Sequence, residues 1–129
     1  MEKRYVTYKE YGDLLNILIT KIKNSKLAKQ IKCVYGIPRG GLGIALHLSH
    51  SLKVPLKNNI PTTTFALIVD DVSDKGKTLQ QIVSKYSRIS KGPHYTATLF
   101  YKKHSSFRPD FFAKETGRNW IVFPWELKD

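Results

Sequence analysis

The densest chemistry in this 129-residue chain lies where an apolar run turns acidic and then becomes a small basic loop. The stretch reads Ala66-Leu67-Ile68-Val69-Asp70-Asp71-Val72-Ser73-Asp74-Lys75-Gly76-Lys77-Thr78. Two adjacent carboxylates repel each other, so Asp70 and Asp71 call for a cation such as magnesium or the vicinal hydroxyls of a sugar. From Asp74 to Thr78, backbone N–H groups, a glycine that permits close approach and a threonine hydroxyl form a nest for a dianionic phosphate at the start of a helix. Acids for sugar and metal beside amides for phosphate describe a phosphoribosyl site. The plainer alternative is a polar turn in which Asp74 or Thr78 only caps the helix. Gly76-Lys77-Thr78 does not end a Walker A loop, because Asp71 stands where that motif needs its first glycine.

The elements around this stretch are those of a parallel α/β sheet. Thr63 to Val69 is the strongest strand signal, with too little polar alternation for a solvent-facing sheet. Ile31 to Gly36 reads as a buried strand, broken by Pro38-Arg39-Gly40-Gly41, and Leu42, Ala45, Leu46, Leu48 and Leu52 suggest the helix behind it. Leu79, Ile82, Val83 and Tyr86 fit a helix after the acidic loop, and Tyr95 to Tyr101 starts another strand. Upstream, Thr7 and Glu10 have capping-box spacing ahead of a helix with Tyr11, Leu14, Leu15, Leu18, Ile19 and Ile22 on one face. Phe111-Phe112-Ala113 and Trp120-Ile121-Val122 are shorter strand candidates. Strand, helix, strand, helix, strand implies a parallel sheet covered on both faces, whose ligands bind beyond the carboxyl ends of the strands. That rule selects the loops at Arg39, at Asp70 to Thr78, and at Lys102.

Composition sets the outer limits. Hydrophobic residues at 41% and charged residues at 25% belong to a folded soluble chain, and the length suits a single domain over 1–129. No apolar stretch is long enough to span a membrane and no secretory leader is visible, which leads us to expect a cytoplasmic protein. One cysteine, Cys33, excludes an internal disulfide and reads as a core residue. His47, His50, His94 and His104 show no metal-ligand spacing and read as incidental. Twenty-two Lys and Arg against ten Asp and Glu give a net +12, which favours anionic partners, either nucleic acid or phosphate esters.

Residues 66–78 resemble the phosphoribosyl-pyrophosphate (PRPP) motif of type I phosphoribosyltransferases, in which a strand ends in two acids and runs into a D-x-G-x-T loop; Lys75 stands where that family usually has threonine. Tyr35 to Leu42, with Pro38-Arg39-Gly40-Gly41-Leu42, resembles the family's pyrophosphate loop in its xanthine-guanine form. Asn119 to Glu126 resembles the W-I-x-x-P-W-[DE] ending of bacterial xanthine-guanine enzymes. The resemblance implies a Rossmann-like core with a small C-terminal hood, and transfer of phosphoribose from PRPP to a 6-oxopurine (guanine, xanthine or hypoxanthine) with release of pyrophosphate. It implies magnesium on Asp71, with Asp70 as a possible second ligand, and Asp70, Asp71 and Asp74 as the catalytic acids. Asp74, Lys75, Gly76, Lys77 and Thr78 would hold the 5′-phosphate, and Arg39, Gly40 and Gly41 the pyrophosphate. Lys102, Trp120 and Ile121 would hold the purine, with Trp125 packed in the core. A homo-oligomer, dimer or tetramer, is implied as well. Between Leu56 and Thr64 the family usually carries a long mobile lid, for which Lys57 to Pro61 leaves little chain. The excess positive charge, the short lid and Lys75 keep one alternative, a PRPP- or nucleotide-responsive regulator that binds RNA or DNA on a basic face, and a further one is a degenerate member of the fold with only a structural or partner-binding role.

Overall fold

A computed structural model describes residues 2–59, 65–89 and 93–126. In chain order these form β1 (Lys3–Tyr5), α1 (Tyr8–Lys23), a 3-10 turn (Ala28–Gln30), β2 (Cys33–Gly36), α2 (Gly40–Leu52), β3 (Leu56–Lys57), β4 (Ala66–Ser73), α3 (Lys77–Ile89), β5 (His94–Lys102), β6 (Phe111–Thr116) and β7 (Trp120–Val122). Five strands make one parallel sheet in the order β3-β2-β4-β5-β6. Period-two alternation divides its side chains between two cores. Val34, Leu67, Val69, Ala97 and Leu99 meet Leu14, Leu18, Ile22, Ile44 and Leu48 of α1 and α2 on one face. Cys33, Tyr35, Ala66 and Ile68 meet Leu79 and Tyr86 of α3 on the other. The parallel α/β architecture, with helices on both faces, is that expected from the sequence.

Local chemistry explains the element ends. Thr7 Oγ1 accepts the Glu10 amide at 3.0 Å, the capping interaction expected from the sequence, but the Glu10 carboxylate pairs with Arg4. At the end of α2, Lys53 closes the helix in the left-handed conformation. Leu42 and Leu46, expected among the apolar residues of α2, are exposed, and Ile44, Ala45 and Leu48 carry the burial instead. Thr63 and Thr64, the expected start of the strongest strand, lie outside the described residues, as do Ile60 and Pro61 of the short segment where a lid was expected. At its other end the strand runs further than expected, so Asp70 and Asp71 lie inside β4 and not in the loop after it.

Two features position the site. The chain leaves β2 toward β3 on one side and returns to β4 on the other, so the strand order reverses between β2 and β4, where a crevice opens at the carboxyl ends. Above the sheet, β1 pairs in parallel with β7, matching Lys3 with Trp120, Arg4 with Ile121 and Tyr5 with Val122. The hood is therefore built from both ends of the described chain, an N-terminal contribution that the polar Lys3-Arg4-Tyr5 gave no reason to expect. The Arg4 guanidinium lies over the Phe100 ring at 5.1 Å and ties this hood to the top of β5.

Candidate active site

A cleft of about 930 Å³ opens between the carboxyl ends of the strands and the hood. Its walls bring together Arg39 and Gly40 from the β2–α2 junction, Asp70, Asp71 and Val72 from β4, Asp74 and Thr78 from the loop and helix that follow, and Lys102 from β5. Trp120, Ile121, Phe123, Trp125 and Glu126 close it from the hood. Beside it, a smaller hollow of about 230 Å³ is lined by the run from Ser73 to Leu79, including Lys75, Gly76 and Lys77. Three segments separate in sequence thus converge on one region, with the run from Ser73 to Leu79 at one end of it.

Asp70 and Asp71 share the floor. Asp70 Oδ1 accepts the Asp71 amide at 2.9 Å, and Asp71 Oδ1 accepts the Val72 amide at 2.8 Å. Burial, then repulsion from Asp71, pushes the Asp70 carboxyl up to about 8, and burial raises Asp71 as well. Tyr11 of α1 belongs to the same neighbourhood: burial and the Asp71 charge raise its phenol. Both carboxyls are pushed upward, so their ionised forms are stabilised by any cation or hydroxyl donor that enters the cleft. Among the described residues no group of three or more acid, histidine or cysteine ligands surrounds a common point. The pair therefore fits a magnesium ion that keeps most of its oxygen ligands from water and substrate.

Asp74 is held differently. Its Oδ2 lies 3.2 Å from Lys102 Nζ and its Oδ1 lies 3.0 Å from His104 Nε2. Partial burial works to raise its carboxyl, but the bonds from Lys102 and then His104 outweigh it and hold Asp74 below the ordinary range. Lys102 is only 2% exposed, so it is no solvated surface lysine. Gly76 has φ +85°, and a Cβ there would stand 2.6 Å from the Phe107 amide nitrogen, which explains the glycine in the loop.

The two glycines after Arg39 divide their work. Gly40 lines the cleft, and a Cβ on it would lie 2.2 Å from Asp71 Oδ2. Gly41, expected at the pyrophosphate, is buried beneath the Val69 carbonyl and gives its amide to Ile37 O at 2.9 Å, so it seats α2 against β4 and does not face the cleft. The Pro38–Arg39 peptide bond is cis. Trp120 stands 53% exposed on the cleft wall, where an aromatic face is available to a planar ligand. Trp125, expected in the core, is 42% exposed and also lines the cleft; it stacks on Phe123 at 4.9 Å and meets Tyr11 edge-on. Phe123, Glu126 and His104 escaped the sequence reasoning. The first two lie in the quoted C-terminal motif, whereas His104 carries no local signature.

No protein-family model matches the chain. Over 74% of its length it is 28% identical to the xanthine-guanine phosphoribosyltransferase of Cereibacter sphaeroides, 70% of which is covered. A shorter alignment, 34% identical, joins 59% of the chain to 41% of the xanthine-guanine phosphoribosyltransferase of Ruegeria. The fold matches the Helicobacter pylori xanthine-guanine-hypoxanthine phosphoribosyltransferase with a TM-score of 0.78 at 21% identity, over 96% of this chain and 92% of that one. The crystal structure of a purine phosphoribosyltransferase from Pyrococcus horikoshii covers all of this chain and 97% of its own, at 30% identity and a TM-score of 0.86. With near-complete coverage at that identity, the chain belongs to the type I phosphoribosyltransferases, in their purine branch, and is an enzyme of that type.

Proposed function

We propose that this enzyme transfers phosphoribose from PRPP to a 6-oxopurine, guanine, xanthine or hypoxanthine, releasing pyrophosphate and a nucleoside monophosphate. The observation that carries the proposal is the cleft that joins paired acids to a buried lysine and an exposed tryptophan, with the hollow lined by residues 73–79 beside it. Lys75, Gly76, Lys77 and Thr78 hold the 5′-phosphate with Asp74, and that remote binding energy fixes the position of the anomeric carbon. Arg39 and Gly40 receive the pyrophosphate, whose departure runs ahead of bond formation, so positive charge develops on the ribose. Asp70 and Asp71 hold the ribose hydroxyls and stabilise that charge. Asp71, with Asp70 beside it, would hold magnesium, which would supply positive charge against that of the pyrophosphate.

The acceptor side follows from Lys102 and the hood. Lys102 exchanges its bond to Asp74 for the 6-oxo group of the base, and Trp120 stacks on the ring beside the Ile121 backbone. Asp74, ionised in the free site, then faces a ring nitrogen and takes its proton as the new bond forms. An open carboxylate in this position is a weak base, and the loss of its lysine partner on substrate binding strengthens it. No comparison points to the nucleic-acid-binding alternative. The test is turnover with PRPP and magnesium and each of guanine, xanthine and hypoxanthine in turn, beside Asp74→Asn. Purine-dependent release of pyrophosphate, reduced by at least about 100-fold in the variant, is expected for a lost general base. Equal rates for wild type and variant would remove Asp74 from the chemistry.

A further inference from the structure

Four consecutive residues of the donor loop are each gripped by the segment that leaves β5. Ser73 Oγ lies 2.8 Å from Ser105 Oγ and donates to the Phe107 carbonyl at 2.7 Å. Asp74 takes His104 at 3.0 Å. The Lys75 carbonyl accepts both the hydroxyl and the amide of Ser106, at 2.7 and 3.2 Å. Gly76 lies against the Phe107 backbone so closely that a Cβ would collide with it. Ser105 and Phe107 hold the Ser73 hydroxyl and Ser106 holds the Lys75 carbonyl, whereas His104 reaches the carboxylate of Asp74, which lines the cleft. Since a carboxylate only accepts, His104 donates to it through Nε2–H.

We propose that His104 is the positioning residue of Asp74, keeping its carboxylate aimed at the purine after Lys102 has moved to the base. The inference rests on the proposed role of Asp74. In the free site the two oxygens of Asp74 have one partner each, Lys102 on Oδ2 and His104 on Oδ1. Lys102 cannot serve both the carboxylate and an incoming oxo group with the same geometry. His104 sits on the side away from that exchange, with its anchor shared by the loop that grips the 5′-phosphate cradle. Its bond therefore persists through the reaction, fixes the rotamer of Asp74 and leaves Oδ2 to the substrate. A base oriented this way loses rate when released, because misaligned proton transfer costs more than misaligned binding.

The experiment compares steady-state kinetics of wild type, His104→Ala, His104→Gln, Ser106→Ala and Asp74→Asn with PRPP, magnesium and the purine turned over fastest. His104→Ala should lower kcat about 10-fold or more with the KM for PRPP within about twofold, the signature of an interaction used in the transition state and not in donor binding. His104→Gln, whose amide nitrogen can occupy the place of Nε2, should recover most of that rate. Ser106→Ala, which frees only the Lys75 carbonyl, should instead raise the KM for PRPP. An unchanged kcat in His104→Ala while Asp74→Asn is slow would overturn the positioning role and leave the role of Asp74 standing. So would a loss in His104→Ala that falls on the KM for PRPP alone or that His104→Gln does not repair. Full activity in Asp74→Asn would sink both.

Discussion

At the residue scale, the floor acids are destabilising until something binds them. The Asp70 carboxyl titrates near 8 in the folded chain against 3.8 as its unperturbed value, so the folded state holds a proton that the unfolded chain has released. Folding stability is thus greatest below about pH 4 on this account, falls as pH rises through the window up to about 8, and the same sign holds for Asp71. Thermal melting of the ligand-free protein between pH 5 and 8 should show Tm declining with pH, and Asp70→Asn should flatten the decline and raise stability at pH 8 by about 1–3 kcal/mol while abolishing turnover. A variant that melts lower than wild type at pH 8 would contradict this. Lys102 supplies the opposite case, a buried cation whose partner is already in place; Lys102→Ala should raise the KM for the purine about 10-fold or more and leave that for PRPP little changed. Asp70, Asp71, Asp74 and Lys102 were legible in the sequence because each sits at the end of a strand with strong local patterning. His104 was not, since its partner lies 30 positions away and imidazole has no spacing rule for a hydrogen bond to a distant acid.

At the scale of elements, what the sequence exposed was whatever is local: the strand–loop–helix of 66–89, the capped α1 and the break at Pro38. What it hid was contact between loops. Gly40 and Gly41 read as a flexible pair beside an arginine, yet each is small because a neighbouring element stands where its Cβ would be, Asp71 in one case and Val69 in the other. Gly76 combines both constraints, a left-handed backbone and the Phe107 backbone overhead. Gly76→Ala should therefore distort the phosphate cradle and weaken PRPP binding at least about 10-fold by calorimetry, with circular dichroism showing the sheet and helices retained, since strain of roughly 1–2 kcal/mol is confined to one loop. Unchanged affinity would mean that the loop does not take the 5′-phosphate. Trp125 shows the same limit of sequence reasoning: an aromatic near a chain end reads as core, but stacking on Phe123 leaves its other side on the cleft.

At the scale of the whole molecule, the two substrate ends of the cleft have different pedigrees. Arg39, Asp70, Asp71 and residues 74–78 all hang from the central reversal of the sheet, whereas Trp120 to Glu126 hang from a two-stranded hood completed by β1. With PRPP as the proposed polyanionic donor and a net charge of +12, the KM for PRPP should rise steadily as salt is added, while a neutral purine such as guanine or hypoxanthine should bind with little salt dependence. Equal sensitivity of both would argue that the charge serves another partner. The weaving of β7 against β1 has a temporal consequence during synthesis. Residues 3–5 can find their partner only after Trp120 to Val122 have been made, so the wall of the cleft that carries Trp120 is the last part of it to be completed.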